Sequence, residues 1–245
     1  MSDTAQLNDW SRERLADPAD DLFFAVLFSA QPQRESVRAI AALYVELEAT
    51  ATRFGDMHVA RTKLAWWRDE LERLSAGDPA HPVTRVLAGN TPPGAETALG
   101  DLITGMELVL LEGPVNDLAT ARMRAERGGT RLATLLAALF PGAKEAAELQ
   151  PELGTGIGLA RLLGHADLDD TVQKEVARTA QALLADSHAA AATAPQPLCV
   201  LAALAWRTAA HGGPRTRRRP DPGRVYTAWR AARGHLPRKM SKITV

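Results

Sequence analysis

Few residues in this chain have the types and spacing to do chemistry. His165, Asp167 and Asp169 lie within one short run, and a His and an Asp at i and i+4 share a helical face that suits a divalent cation. Asp167, Asp169 and Asp170 also read as an ordinary acidic N-terminus for the helix that follows. Arg122, Arg124, Arg127 and Arg131 form a basic stripe around Gly128-Gly129. Guanidinium groups match phosphate geometry, and a solvated helix face is the plainer account of the stripe. The string Gly154-x-Gly156-x-Gly158 has neither a preceding strand nor the spacing of a nucleotide loop. Cys199 stands among Leu198, Val200 and Leu201, with nothing near to lower its pKa, and reads as an inert buried thiol.

The elements that must position these residues are helices. Val37, Ile40, Ala41, Tyr44, Leu47 and Ala51 recur at three- and four-residue steps over 34–54, and Leu64, Trp67, Leu71 and Leu74 do so over 59–76. Gly77 and Pro79 stop the second helix. Asp17-Pro18 and Asp20-Asp21 signal a helix start ahead of the aromatic run Phe23, Phe24, Leu27 and Phe28, which reads as core or as the lining of an apolar cavity. Further helices are predicted at 84–88, 98–112, 119–139 with a break at Gly128-Gly129, 151–163, 172–192, 198–210 and 224–233. Residues 1–17 read as a polar lead-in with Trp10 as an anchor, and Asn90 to Gly94 as a loop. Met106 reads as core. Gly212 to Pro220, with Arg215, Arg217, Arg218 and Arg219, reads as a basic linker suited to phosphates, anionic lipid headgroups or plain solvent. A docked terminal helix follows, with membrane-surface contact as its alternative, and then the basic tail Arg238-Lys239.

Composition narrows the classes. Lys+Arg and Asp+Glu balance at 29 each, so the whole molecule has no bias toward nucleic acid. The 46% hydrophobic content supports a sizeable core. One cysteine excludes an internal disulfide framework and a multi-cysteine zinc site. No signal-peptide pattern and no apolar run long enough for a membrane span stand out, so a cytoplasmic protein, peripheral to the inner membrane at most, is expected.

Four strings in order resemble the squalene/phytoene synthase family. They are Asp21-Leu-Phe-Phe-Ala-Val-Leu-Phe28, Pro32 through Tyr44, Trp66-Trp67-Arg68-Asp69-Glu70-Leu71, and His81-Pro82-Val83 ahead of Leu87. The likeness continues more faintly to about residue 170. It implies an all-α, single-domain isoprenoid-synthase-like bundle around a central cavity, over 1–211, followed by the linker 212–223 and a C-terminal helix and tail over 224–245. The family's enzymes join two isoprenoid diphosphates head to head, using magnesium held by two aspartate-rich motifs, because a hard cation takes oxygen ligands.

The departures are as informative. Counted from Tyr44, the first-motif positions are Ala51, Thr52 and Gly55, with Asp56 alone nearby and Glu46 and Glu48 on the wrong side of the count. The family's Gly-Met-Glu-x-Asp-Leu string reads Gly105-Met106-Glu107-Leu108-Val109-Leu110. The second motif reads His165-Ala-Asp167-Leu-Asp169, with Arg161 ahead of it. The Gly-Arg-x-Tyr-Leu-Pro loop is missing. Since electrostatic stabilisation of the departing diphosphate is the large catalytic term, and metal supplies much of it, no confident catalytic residue and no metal site or cofactor are assigned. Glu48 through Arg53 to Trp67 resembles the branch that includes the mitochondrial assembly factor for respiratory complex I. The likeness therefore implies a non-catalytic isoprenoid- or lipid-binding or assembly-type protein, with a protein partner at the membrane periphery and no nucleic acid. Phe24, Phe28, Tyr44, Trp67, Met106 and Arg131 are the candidate cavity residues. The alternatives are a divergent prenyltransferase with Asp56, His165, Asp167 and Asp169 around a rebuilt Mg²⁺ site, and a helical adaptor with a filled core.

Overall fold

Aspartate at helix starts organises much of this chain. An Asp side chain accepts from the otherwise unpaired first amides of a helix, at a gain of roughly 1 kcal/mol each. Asp20 caps α2 (Asp21–Leu27), Asp56 caps α4 (Met57–Ser75) through the amides of His58 and Val59, and Asp117 caps α7 (Leu118–Ala125). Asp169 caps α10 (Asp170–Asp186) through Thr171 and Val172, and Asp221 caps α13 (Pro222–Ala231). The remaining helices are α1 (Asp3–Arg14), α3 (Arg34–Arg53), α5 (Pro82–Ala88), α6 (Ala95–Glu112), α8 (Arg131–Ala138), α9 (Pro151–His165), α11 (His188–Thr193) and α12 (Gln196–Ala210). The structure, a computed structural model, describes residues 2–17, 20–53, 55–90, 95–140, 151–212, 221–237 and 240, and of His165 the backbone only. Among them there is no strand, so the fold is all-α. The basic linker over 213–220, the tail Arg238-Lys239 and the loop residues 91–94 lie outside the described residues.

Two helices form the axis of the bundle. α3 buries Val37, Ile40, Leu43, Tyr44 and Leu47 and packs against α1, α2, α4, α5, α6 and α8. α12 buries every residue from Leu198 to Trp206 and packs against α2, α9, α10 and α13. A helix apolar on all sides belongs in an interior, and each buried Leu or Val there contributes roughly 1.5–3 kcal/mol. No described helix is long and apolar enough to cross a membrane.

Glycine sets the spacing around α9. A Cβ on Gly129 would lie 2.6 Å from Gly158 Cα, and one on Gly158 would lie 2.8 Å from the Ala125 carbonyl oxygen. The backbone of α9 therefore rests directly on α7 and on the turn after it, and the Gly154–Gly158 string serves helix approach. That turn, Glu126–Thr130, is a π-helical segment joining α7 to α8. The break expected at Gly128-Gly129 is thus a widened turn inside one continuous run, a form common at functional sites.

Two expectations need correction. Residues 3–14 form a helix where a polar lead-in was expected, because one buried side of it suffices. Leu7 is fully buried, and Trp10 packs edge-on to Trp67 at 6.0 Å and to His81 at 4.8 Å. The run 172–192 divides into α10 and α11 at Ser187. Of the two readings of the Phe23–Phe28 cluster, the core one fits: Phe24 packs against Phe23 at 5.4 Å and Phe28 at 6.5 Å.

Candidate functional site

A cavity of about 290 Å³ opens between α3, α6, α7 and α9. α3 contributes Tyr44, Glu48, Thr52 and Arg53, one helical face read at steps of four. Met106 and Val109 come from α6, and Pro114 and Val115 from the loop after it. Arg124, Ala125 and Gly128 come from α7 and the π turn, Gly158 and Leu162 from α9, and Ala166 and Asp167 from just beyond it. The π turn matters here. It carries Gly128 against the Tyr44 hydroxyl, where a Cβ would sit 2.8 Å from that oxygen. Most of the lining is apolar, with charge at one end, as ligand pockets are built.

At the polar end lies a buried ion cluster. Arg161, from α9, donates through Nε to both Glu48 carboxylate oxygens at 2.9 and 3.0 Å, and through Nη2 to Glu48 Oε2 at 2.8 Å. Its Nη1 and Nη2 reach the two oxygens of Asp20 at 2.7 and 3.0 Å. Side-chain exposure is 8% for Arg161, 5% for Asp20 and 15% for Glu48. Burial opposes the Arg161 charge, but Asp20 and Glu48 outweigh it and hold the guanidinium ionised well above its ordinary range. Tyr44 donates its hydroxyl to Glu48 Oε1 at 3.3 Å, and its ring lies 5.2 Å from the Arg161 guanidinium. Burial first, and then the Glu48 charge, keep that hydroxyl protonated well above the ordinary phenol value. Behind the cluster a second, polar cleft holds Glu13, Asp17 and Asp20, and it shares Glu48 and Arg53 with the apolar cavity. The Arg161–Glu48 pair is the wall between them.

Arg124, from α7, also lines the cavity and feels the Glu48 charge. Its Nη2 donates to the Gly113 carbonyl, while its Nε is buried with no hydrogen-bond partner. A buried cationic N–H without an acceptor is costly, and an anionic head group entering the cavity would supply one.

Of the other sequence candidates, Tyr44, Thr52, Met106, Val109 and Asp167 line the cavity. Phe24, Phe28, Trp67 and Arg131 are not in its wall. Trp67 belongs to an aromatic group with Trp10, Trp66 and His81, and Arg131 faces Asp101 at 3.7 Å on the surface. Ala51 is buried, Gly55 is exposed, and Asp56 and Asp169 are spent on helix caps. The His165 side chain lies outside the described residues. Arg122 and Arg127 pair with Glu126 and Glu112. Burial pushes Cys199 up to about 11, and its thiol donates to the Ala191 and Ala194 carbonyls, so it is inert. The count from Tyr44 discarded Glu48, and it passed over Asp20 and Arg161 as partners. The usable signal was one arginine inside the apolar, small-residue run Leu153 to Leu163, because a charge in such a run needs carboxylates nearby.

The magnesium that the family resemblance implies does not fit this donor set. Among the described residues no three His, Cys, Asp or Glu side chains gather to hold a metal ion. Glu48 and Asp20 give their oxygens to Arg161, which leaves Asp167 as the remaining carboxylate in the cavity wall.

Comparison with known proteins agrees with this architecture. The sequence profile of the squalene/phytoene synthases matches residues 15–169. The crystal structure of squalene synthase HpnC from Alicyclobacillus acidocaldarius is similar to the fold at a TM-score of 0.63 and 16% identity, over 96% of this chain and 95% of that one. No curated protein matches. With the family profile spanning well over half of a helical bundle built around a cavity, the chain belongs to the squalene/phytoene synthase family.

Proposed function

We propose that this protein binds one isoprenoid or other lipid-like chain with an anionic head, without magnesium, and works as a binding or assembly-type protein. The observation that carries this reading is the Arg161 cluster. A guanidinium hydrogen-bonded to both Asp20 and Glu48 stands as the internal cation behind the polar end of the cavity, so these carboxylates already have a cation partner without a metal. The volume supports the same reading. About 290 Å³ lies at the bottom of the range of pockets that hold one small ligand, a size that suits one chain better than the two that a head-to-head condensation must align. Tyr44, Met106, Val109 and Leu162 would take the apolar chain, and the unpartnered Arg124 Nε–H would donate to the head. A respiratory-complex assembly role rests on the likeness of Glu48 through Trp67 to that branch of the family.

A second reading, a divergent prenyltransferase, has one observation in its favour, since Asp167 and Glu48 share the cavity wall. Calorimetric titration with farnesyl diphosphate, with and without Mg²⁺, separates the two. Binding of equal strength in both buffers, without product, supports the binding protein. Tight binding that requires Mg²⁺ and yields a condensed hydrocarbon overturns it.

A further inference from the structure

The charges of this chain cancel in sum but not in place. Gly212 to Val245 holds ten Lys/Arg and the single acid Asp221, whereas residues 1–211 hold nineteen Lys/Arg and twenty-eight Asp/Glu. Within the basic end, α13 is well anchored on its inner side. Ala228 and Ala231 are buried, Arg224 pairs with Asp21 of α2, and Asp221 accepts from Arg207 at 2.8 Å. Its outer side is not covered. Val225, Tyr226 and Trp229 are 40%, 58% and 40% exposed along one stripe. The rings of Tyr226 and Trp229 stack at 6.0 Å and 24°. Arg233 lies 4.1 Å from the Trp229 ring centre and Arg230 lies 6.0 Å from that of Tyr226.

We propose that this outer stripe of α13 docks on an anionic lipid bilayer. The helix would lie in the plane of the interface, with Tyr226 and Trp229 at headgroup depth and Arg230 and Arg233 on lipid phosphates. Amphipathic aromatic rings favour that depth, and an in-plane helix combines an apolar stripe with basic residues beside it. The anionic surface attracts the basic end of the chain and repels its acidic remainder, which orients the molecule. A nucleic acid fits less well, because single strands need open aromatic faces to stack on, and here Tyr226 and Arg233 flank the Trp229 ring. A protein partner fits less well too, because five side chains cover little of the roughly 800 Å² per partner of a stable interface. The proposal stands whatever the cavity holds.

The test is flotation of the full chain with phosphatidylcholine vesicles and with equimolar phosphatidylcholine–phosphatidylglycerol vesicles. Binding is expected to the second only, and to weaken as salt is raised. Arg230→Gln with Arg233→Gln should weaken it roughly thirty-fold, at about five-fold per arginine. Tyr226→Ser with Trp229→Ser should also release the protein, with helicity and Tm unchanged. Quenching by brominated lipid should lose a component in Trp229→Phe, which a merely structural role for Trp229 would not produce. Failure to float overturns the proposal, as does flotation unchanged in both double variants. So does binding of a single-stranded RNA oligonucleotide, or dimerisation, that depends on these residues when vesicles are not bound.

Discussion

Replacing Arg161 by Met should unmake the centre of this protein. The guanidinium makes five contacts of 3.0 Å or less to Asp20 and Glu48, and Met fills similar space without charge. Removing one partner from a buried ion pair costs about 3–5 kcal/mol, because the remaining charge is stranded. Here two carboxylates would be stranded together, so the upper part of that range applies at pH 7. For a chain of this size the loss corresponds to a Tm drop of roughly 6–20 °C. The pH dependence follows from linkage. Unpaired and buried side by side, Asp20 and Glu48 would have folded pKa values above their unfolded ones. The folded variant then binds more protons than its unfolded chain, and its stability rises as pH falls through those raised values. The deficit against the parent protein should therefore be widest above pH 7 and should narrow by about pH 5. Arg161→Lys, which keeps the charge but cannot fork to both carboxylates, should fall between. Adding Asp20→Asn and Glu48→Gln to Arg161→Met should restore most of the loss. Mg²⁺ should raise the Tm of Arg161→Met and leave the parent unchanged, because only the variant offers free carboxylates. The assay is thermal unfolding by circular dichroism from pH 5 to 8. A loss below about 1 kcal/mol at pH 7, or a deficit independent of pH, would refute the reasoning.

Two further outcomes are expected. His81 packs against Trp10, Trp66 and Trp67, and burial, opposed by the Glu70 charge, pushes its imidazole down to about 4. Its NMR signals should stay those of a neutral ring at pH 5, and its contribution to stability should be whole above about pH 6.5 and decline as pH falls toward 4; titration near 6.5 would contradict the burial argument. Gly158→Ala puts a Cβ 2.8 Å from the Ala125 carbonyl oxygen and should cost about 1–3 kcal/mol by overpacking. Gly100→Ala, in α6 with nothing within 4 Å of the new methyl, should instead add about 0.4–1 kcal/mol, and equal Tm shifts in the two would disprove close helix approach as the cause.

How much was legible depended on whether the signal was local. The long helices were, because periodicity is local. Apolar steps of three and four placed α3 at 34–54 and α4 at 59–76, against Arg34–Arg53 and Met57–Ser75. α1 was missed because a helix that buries little more than Leu7 and Ser11 carries almost no apolar period. The π turn could not be read either, since a glycine pair looks the same whether it breaks a helix or widens it. The centre of the candidate site was hidden for another reason. Its contacts join residues 113 and 141 positions apart, and counting from Tyr44 along one helix cannot see a partner on another. Asp56 and Asp169 were legible for the opposite reason. Asp56, alone, invited a metal reading, whereas Asp169 beside Asp170 also read as a helix start, and both serve as caps that the next few residues already specify.

Helix α2 ties these parts together by chemistry rather than by size. Its cap Asp20 holds Arg161 at the cavity, and the next residue, Asp21, holds Arg224 of α13. The two pairs differ in energetics. Arg161 shares one charge between two carboxylates and remains fully ionised. Asp21 pairs directly with Arg224, and burial pushes its carboxyl up to about 6 despite Arg224 and the more distant Arg161. That shift means its ionised form costs about 3 kcal/mol at neutral pH relative to the unfolded chain. Sign and size together argue that the Asp21–Arg224 pair fixes where α13 lies more than it stabilises the fold, as buried ion pairs commonly do. Neutralising Asp21 in the folded state removes that cost but also removes the charge it offers Arg224. The Asp21–Arg224 contact beneath the Tyr226–Trp229 stripe therefore weakens as pH falls toward about 6, while Asp221, Ala228 and Ala231 still hold α13 in place.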